Sequence, residues 1–325
     1  MRRVLPLLML CACADDEPLD LIDTGWFDDA FDVGSDCLAQ VQSSRPEAGA
    51  SDWSWRDAPR LYVGDPEATY EVRLLEADGV DVPSSVVWSE DKTFVEVVPE
   101  RPLRADTEHI LSWTDCTGPR TLNFATSDLG LPIEDGPQSL VGRTWVLDIV
   151  GATWVQPENL GVLLSVQLER EVLVGATIAT DSTIAFMGAE GDIVLGELEQ
   201  NRSIPTWSLP PAPFDEAPYF ESSSAQLDFI LAGVAFPVTD FFLSGTFSSD
   251  GASLGGVTLS GTADTRDAGA AVGQPGNENA FCVLASTLNA ECIPCADGNP
   301  TCLVIEVEEL EGVEAPGLTL QPVYE

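Results

Sequence analysis

The alternation of apolar and polar residues along the chain predicts short β-strands over most of its length. In the stretch TLNFA (residues 121–125), Leu122 and Phe124 fall on one side of a strand and the intervening residues on the other. Similar stretches, rich in β-branched and aromatic residues and separated by turn residues, lie at 60–63, 70–75, 85–88, 93–98 and 109–113. About seven strands in roughly 90 residues predict an antiparallel sandwich over residues 37–128.

The same pattern continues in the second part of the chain, after a stretch at 129–139 that lacks it and predicts a linker. The five prolines within 203–220 predict a long surface loop, and a helical period is weakly present only near 265–272. Residues 140–325 are therefore expected to form a second antiparallel β-domain, either a barrel or a sandwich, in an all-β protein. Its alternating stretches lie at 143–150, 161–169, 171–179, 182–188, 226–232, 241–248 and 254–263.

The charge of the chain restricts its partners. The sequence has 54 acidic and 14 basic residues, which gives a formal net charge of −40 at pH 7. A surface of this sign repels nucleic acids and anionic lipid headgroups, so no nucleic-acid partner is expected. The apolar fraction of 44% is that of a folded protein.

The first residues predict export. Arg2 and Arg3 precede a short apolar run that is too short to span a membrane, which is the pattern of a signal peptide over residues 1–12. Leu10-Cys11-Ala12-Cys13 resembles the lipobox of bacterial lipoproteins. That resemblance implies lipidation of Cys13 and a membrane anchor through the lipid. Residues 13–36, rich in Asp and without Lys or Arg, then predict an acidic tether.

The resemblance also bears on location. The aspartate that follows the lipidated cysteine in enteric lipoproteins of the inner membrane is absent, since Ala14 occupies that position. The chain is therefore expected at the bacterial outer membrane or the cell surface.

A second resemblance covers the first β-domain. Residues 95–127 resemble the end of a bacterial Ig-like domain of S-layer and other exported proteins in Pro99, Pro102-Leu103, Thr107, Gly118 and the closing Phe124-Ala125-Thr126. His109 stands where that family usually has Tyr. Such domains are spacers or binding modules. In such a sandwich Cys37 and Cys116 are expected to close a loop of about 80 residues.

A third resemblance concerns the second β-domain. Its start, LVGRTW (residues 140–145), is similar to the Gly-x-Trp opening of lipocalin-like barrels, with the spacing shifted by one residue. It implies a carrier of an apolar ligand as an alternative function.

The remaining cysteines lie in an exported chain and are even in number, which predicts disulfides. Zinc is the weaker alternative because only one CxxC pair is present, and a redox CxxC would need a βαβ setting. Three connectivities are open within the C-terminal group, and Cys292 and Cys295 are expected to bond outward. The disulfide candidates are Cys37, Cys116, Cys282, Cys292, Cys295 and Cys302.

The rest of the sequence offers little catalytic chemistry. The single histidine, His109, lies inside a strand pattern, the single lysine, Lys92, lies at a turn, and no nucleotide-binding glycine motif is present. No catalytic residue, cofactor or strong metal site is expected. Acidic loops such as 297–299 predict at most weak binding of divalent cations. The sequence thus predicts a non-enzymatic surface lipoprotein that binds a protein or envelope partner. A lipocalin-like carrier and a hydrolase using carboxylates alone are the alternatives.

Overall fold

The computed structural model describes most of the chain after residue 38. Residues Ala39–Glu325 form one compact unit. The signal peptide, Cys13, the tether, Cys37 and most of the strand predicted at 161–169 lie outside the described residues. The described ranges are 39–65, 70–158, 160–161, 170–231, 234–270, 272–287 and 289–324.

The first module is an antiparallel sandwich of seven strands. One sheet has the order β1-β2-β5-β4 and the other β3-β6-β7. This is the strand arrangement of a constant-type Ig sandwich, which confirms the predicted Ig-like fold. The strands are β1 Val41–Arg45, β2 Arg60–Val63, β3 Glu71–Glu76, β4 Ser84–Trp88, β5 Phe94–Pro99, β6 Glu108–Asp115 and β7 Gly118–Ala125.

Alternation of side chains explains how this sandwich is held together. Along β5, Val95 and Val97 are buried and their neighbours are partly exposed, and along β7 the buried pair is Leu122 and Phe124. These residues meet the inward side chains of the facing sheet, such as Leu111, in one apolar cluster. The period-2 pattern read from the sequence is therefore the pattern of burial.

The second module is built on one antiparallel sheet of 11 strands, with the path β12-β11-β10-β8-β18-β17-β16-β15. Two further short strands, β13 and β14, pair with β11, and β9 pairs with β18. Over the described residues the sheet does not close into a barrel, since β12 and β15 are the two ends of its path. The strands are β8 Thr144–Leu147, β9 Thr153–Gln156, β10 Glu171–Ala179, β11 Thr183–Val194, β12 Glu197–Gln200, β13 Trp207–Ser208, β14 Ala212–Pro213, β15 Tyr219–Leu231, β16 Val234–Phe247, β17 Ser253–Asp264 and β18 Cys302–Glu314.

Aromatic side chains fill the inner side of this curled sheet. The ring of Phe247 lies 5.0 Å from that of Trp145, 5.6 Å from that of Phe220 and 6.1 Å from that of Phe214, measured between centroids. Phe186 stacks on Phe247 as well, with 6.3 Å between centroids, and all five side chains are almost fully buried. The strands that carry them are thereby drawn together around one core.

The proline-rich stretch at 203–220 was wrongly predicted to be a surface loop. Trp207, Leu209 and Phe214 are buried in the core of the second module. The segment carries β13 and β14, each of two residues. Proline has no N–H to donate, which limits each strand to a short ladder, but the apolar residues between the prolines still pack inward.

One α-helix lies wholly within the described residues, α1 Ala280–Ser286, and the sequence pattern did not predict it. The weak helical period near 265–272 corresponds to a 3-10 turn at Arg266–Gly269, and a second such turn lies at Pro137–Leu140. No described helix has the length and apolar character to cross a membrane.

Two modules with separate apolar cores meet through a few specific contacts. Arg56 forms an ion pair of 2.6 Å with Glu216, and its guanidinium lies 3.8 Å from the ring centroid of Tyr219. Gly130 lies so close to the indole of Trp55 that an added Cβ would be 2.6 Å from its Nε1 atom. The domain limits at 37–128 and 140–325 stay predictions.

Substitution of Gly188 tests the packing of the proline-rich segment. A Cβ at this position would lie 1.9 Å from Cε2 of Trp207, so Gly188→Ala must displace the buried indole. We expect a loss of about 2–3 kcal/mol in the free energy of unfolding, measured with denaturant.

Gly175→Ala is the matched control on the neighbouring strand. Its Cβ would lie 3.1 Å from Cδ1 of Leu320 and 3.3 Å from the hydroxyl of Thr144, contacts that shifts of a few tenths of an ångström relieve, so a change below about 1 kcal/mol is expected. Equal losses in both variants would contradict the assigned position of Trp207.

Candidate functional site

The C-terminal cysteines form two disulfides at one corner of the second module. Cys282 of α1 is bonded to Cys292, with 5.7 Å between the Cα atoms, and Cys295 is bonded to Cys302, with 5.1 Å. Of the three connectivities that the sequence left open, this is one in which both cysteines of the CxxC pair bond to partners outside it. Cys116 is disulfide-bonded too, whereas Cys37 lies outside the described residues.

Hydrogen bonds tie this corner to the last two strands of the sheet. The hydroxyl of Thr265, just after β17, donates to the carbonyl oxygen of Thr301 at 2.6 Å. Ile293 and Cys302 exchange backbone hydrogen bonds of 2.7 and 3.1 Å. A small apolar cluster around Leu303 and Ala285 packs beneath α1. The disulfides therefore attach α1 and its loop to the start of β18.

An arginine organises the acidic groups at the same corner. Arg266 donates to both carboxylate oxygens of Asp264 and, at 2.6 Å, to Asp297. Hydrogen bonding to Arg266 lowers the pKa of Asp264. The backbone N–H of Asn299 is the largest cause of the lowered pKa of Asp297. These carboxylates stay ionised and already have a cationic partner.

The ligand atoms of Asp264, Cys295 and Cys302 lie within 4.8 Å of one another, which raises the question of a metal site. A thiolate is the form of cysteine that binds zinc or copper, and both sulfurs are here engaged in the Cys295–Cys302 disulfide. The Asp264 carboxylate is bound by Arg266. In the oxidised protein these groups do not fit a transition-metal ion.

His109 is buried in the core of the first module, where only 1% of its surface is exposed. Its ring stacks on Phe124 with 5.4 Å between centroids, and neither ring nitrogen has a hydrogen-bond partner of good geometry. Burial lowers the pKa of His109, and the nearby Arg104 carbonyl and Glu76 carboxylate offset only part of this effect. A histidine placed in this way fills space in the core and contacts no nucleophile.

Carboxylates were the remaining source of catalytic chemistry. Desolvation raises the pKa of Asp57, a hydrogen bond from Ser54 and the charge of Arg60 oppose that effect, and the charges of Glu309 and Glu96 reinforce it. Asp57 nevertheless belongs to the exposed residues, on a loop between β1 and β2. A raised pKa on an exposed loop does not by itself form an acid–base pair.

A groove on the outer side of the second module is a candidate ligand-binding surface. Its volume is about 420 Å³, and it lies between the β8–β10–β11 part of the sheet and the segment that follows β18. Arg143, the cation at its edge, is bound to Glu314. Most of the lining is apolar or small, including Val141, Gly175, Ala176, Met187, Leu320 and Pro322. The sequence did not predict this groove, because it depends on how the segment after β18 folds back over the sheet.

Comparison with known proteins adds little to this geometry. No protein-family model matches the chain, and no similar protein is found among curated sequences. Among solved structures, the chain is similar to CopC from Methylosinus trichosporium OB3b, with 14% sequence identity and a TM-score of 0.23. The similarity covers 27% of this chain and 93% of that one. At this level it supports no inference about function.

The disulfide pairing can be tested with double substitutions. Cys282→Ser/Cys292→Ser removes one bond and leaves the other intact, so we expect no new free thiol in the denatured, unreduced protein. The ten-residue separation of this pair predicts a loss of at most about 3 kcal/mol in the free energy of unfolding.

The control is Cys282→Ser/Cys295→Ser, which removes one partner from each bond. It should release two thiols toward a thiol-reactive label, or force a non-native Cys292–Cys302 bond and a larger loss of stability. If the two double variants exchange these results, the connectivity is wrong.

His109 predicts a pH dependence of stability. Its pKa is about 6.5 in an unfolded chain and lower in the folded one, so the unfolded chain takes up the proton first as the pH falls. Stability is therefore lost below about pH 6.5, until the folded pKa is reached. His109→Leu should remove this contribution. Denaturant unfolding of both proteins between pH 5 and 7.5 isolates it, and parallel curves would contradict the prediction.

Proposed function

We propose that this chain is a non-enzymatic lipoprotein, exported and anchored to the bacterial outer membrane or cell surface through lipid on Cys13. Its Ig-like sandwich and second β-module bind a protein or envelope component. The observation that carries the proposal is the pairing of Cys282 with Cys292 and of Cys295 with Cys302. Such pairing fits a chain that folds in an oxidising compartment, where the lipobox would deliver it.

The way in which the second module is packed supports a binding role at the outer surface. A carrier of the lipocalin type needs an internal cavity, whereas Trp145, Phe186, Phe220 and Phe247 occupy the inner side of the described sheet. The groove beside Met187 and Leu320 and the exposed parts of the sandwich are open to a partner instead. The acidic surface favours a partner with basic groups.

Arrangement of the ionisable groups supports a non-enzymatic role in the same way. His109 is buried against the ring of Phe124, the four C-terminal cysteines are bonded, and Asp264 is held by Arg266. Each of these groups is already buried, bonded or ion-paired within the fold. A hydrolase relying on carboxylates alone therefore has the weaker support.

The anchor is tested by expressing the full chain in a bacterium that processes lipoproteins. The parent protein should partition into detergent and carry the mass of a lipid-modified cysteine. Cys13→Ser should leave the protein unlipidated and in the aqueous phase, because the modified thiol is lost.

Cys11→Ser is the matched control, since it changes the neighbouring cysteine of the same segment. It should be lipidated like the parent. Lipid on the Cys13→Ser variant, or its loss on the Cys11→Ser variant alone, would overturn the assignment of the anchor.

A further inference from the structure

The end of the chain crosses the outer side of the second module as a separate segment. Residues 315–324, all of which the structure describes, follow β18 and form no strand or helix. Most of their side chains are exposed, and among them only Leu320 is buried, with 6% of its surface exposed. This C-terminal segment is thus held to the sheet by one buried side chain and by hydrogen bonds outside the strand ladders.

An apolar surface on the outer side of the sheet lies under this segment. On β10, Val172 and Val174 belong to the inner core, whereas Leu173 between them packs outward with Met187 of β11. Leu320 completes that outer cluster. β10 and β11 are consequently covered on both faces, which explains why burial along them is nearly continuous. Such a surface needs a cover, and the C-terminal segment provides it.

The sheet holds the C-terminal segment through the backbone of the segment. The side-chain amide of Gln200 donates to the carbonyl oxygen of Gln321 and accepts from the N–H of the same residue, both at 2.7 Å. The N–H of Thr206 donates to the carbonyl oxygen of Val323 at 3.0 Å, and its hydroxyl accepts from the N–H of Val323 at 3.1 Å. Contacts of this kind bind any extended peptide, and pockets for alternate side chains then add specificity.

Open space remains beside the C-terminal segment. The groove of about 420 Å³ on this side of the module is lined by Leu320 and also by Val141, Ala176 and Met187, none of which belongs to the segment. A mainly apolar groove of this size is typical of a ligand-binding site. The C-terminal segment therefore occupies one side of an apolar groove and leaves the rest of it open.

We propose that the C-terminal segment is an internal ligand of this groove, and that an extended peptide of a partner protein replaces it. The peptide carries apolar side chains two residues apart, as Leu318 and Leu320 are, and they pack on the outer cluster. Its backbone binds Gln200 and Thr206. This assigns a class of partner to the binding role proposed above and rests on that role, but it does not require the lipid anchor.

The charge of the chain decides against a second copy as the source of the peptide. Each copy has a formal net charge of −40, so two copies repel each other. Thr319 and Gln321 have exposed side chains, so the matching positions of a partner's peptide face solvent beside this acidic protein. Basic residues at those positions are favoured, because their charge complements that of the chain.

The experiment measures binding of a fluorescent synthetic peptide, with the sequence of residues 316–324, to the full chain carrying Cys13→Ser. Leu320→Asp detaches the chain's own segment, so this variant should bind the peptide at least about tenfold more tightly than the parent. Adding Gln200→Ala should reverse most of that gain, because two backbone hydrogen bonds are lost. Val313→Asp is the matched control: it places the same charge at an exposed residue of β18 and should bind like the parent.

Variants of the peptide test the chemistry of the partner. Thr319→Lys/Gln321→Lys in the peptide should strengthen binding to the Leu320→Asp chain, and Thr319→Glu/Gln321→Glu should weaken it. Equal affinities of the two peptides would overturn the preference for a basic partner. A parent dimer that Leu320→Asp abolishes, seen by sedimentation velocity, would overturn the choice of partner and assign the groove to the segment of a second copy.

Hydrogen exchange of the parent chain tests the proposal without any change in the segment. Amides of residues 318–323 should exchange by local opening, faster than those of β10, because the segment can leave while the sheet stays folded. Exchange of both only on global unfolding would overturn the proposal. So would equal binding of the peptide, or none, by the folded parent and Leu320→Asp chains. Lipidation of Cys13 is measured separately, so failure here is distinguishable from failure of the anchor.

Discussion

Packing around Phe247 is the interaction on which the second module depends. The rings that surround it come from β8, β11, β15 and the β14 segment, and β8 and β16 are separated in the sheet by β18 and β17. A sheet of this width can fold over only if its inner face is filled, and aromatic pairs add to the free energy gained by burying area. The same packing leaves recognition to the outer surfaces of the protein.

The fold class could be predicted from the sequence because the alternation of apolar and polar residues matches the alternation of buried and exposed side chains. The sequence predicted strands at residues 60–63 and 171–179, and the structure has strands with these bounds. Apolar residues suited to strands, with turn residues on either side, made these two strands recognisable. The proline-rich segment was wrongly predicted as a surface loop, because its prolines indicate a loop. The burial of Trp207 and Phe214 depends instead on the pairing of this segment with β11. Helix α1 was missed, because seven residues carry too weak a period and a disulfide holds the helix in place.

For the candidate site, the sequence predicted that disulfides form but not which cysteines pair. An even number of cysteines in an exported chain implies disulfides, yet their pairing follows from how the loop between α1 and β18 folds, with Cys292 beside Cys282 and Cys295 beside Cys302. The outer groove depends on long-range contacts in the same way. The amide of Gln200 on β12 is hydrogen-bonded to the backbone of Gln321, 121 residues later in the sequence.

The few arginines of this acidic protein connect distant parts of the chain. Arg56 and Glu216 are 160 residues apart in the sequence, and Arg143 and Glu314 are 171 apart. The exposed Arg56–Glu216 pair contributes modestly, since exposed ion pairs gain little in water, whereas the Arg143–Glu314 pair is partly buried. Their positions still matter, because an arginine that holds two remote carboxylate-rich segments together also relieves their mutual repulsion.

The position of β18 in the strand order has a consequence for biogenesis. It lies between β8 and β17 and is the last described strand in the sequence, so it alone joins the ladder β12-β11-β10-β8 to the ladder β17-β16-β15. The sandwich has all seven of its strands within residues 41–125, so it can fold as soon as that part of the chain is available. The second module must wait for its final strand. The two ladders thus stay unconnected until β18 is available, and the Cys295–Cys302 disulfide, which includes the first residue of β18, can form only then.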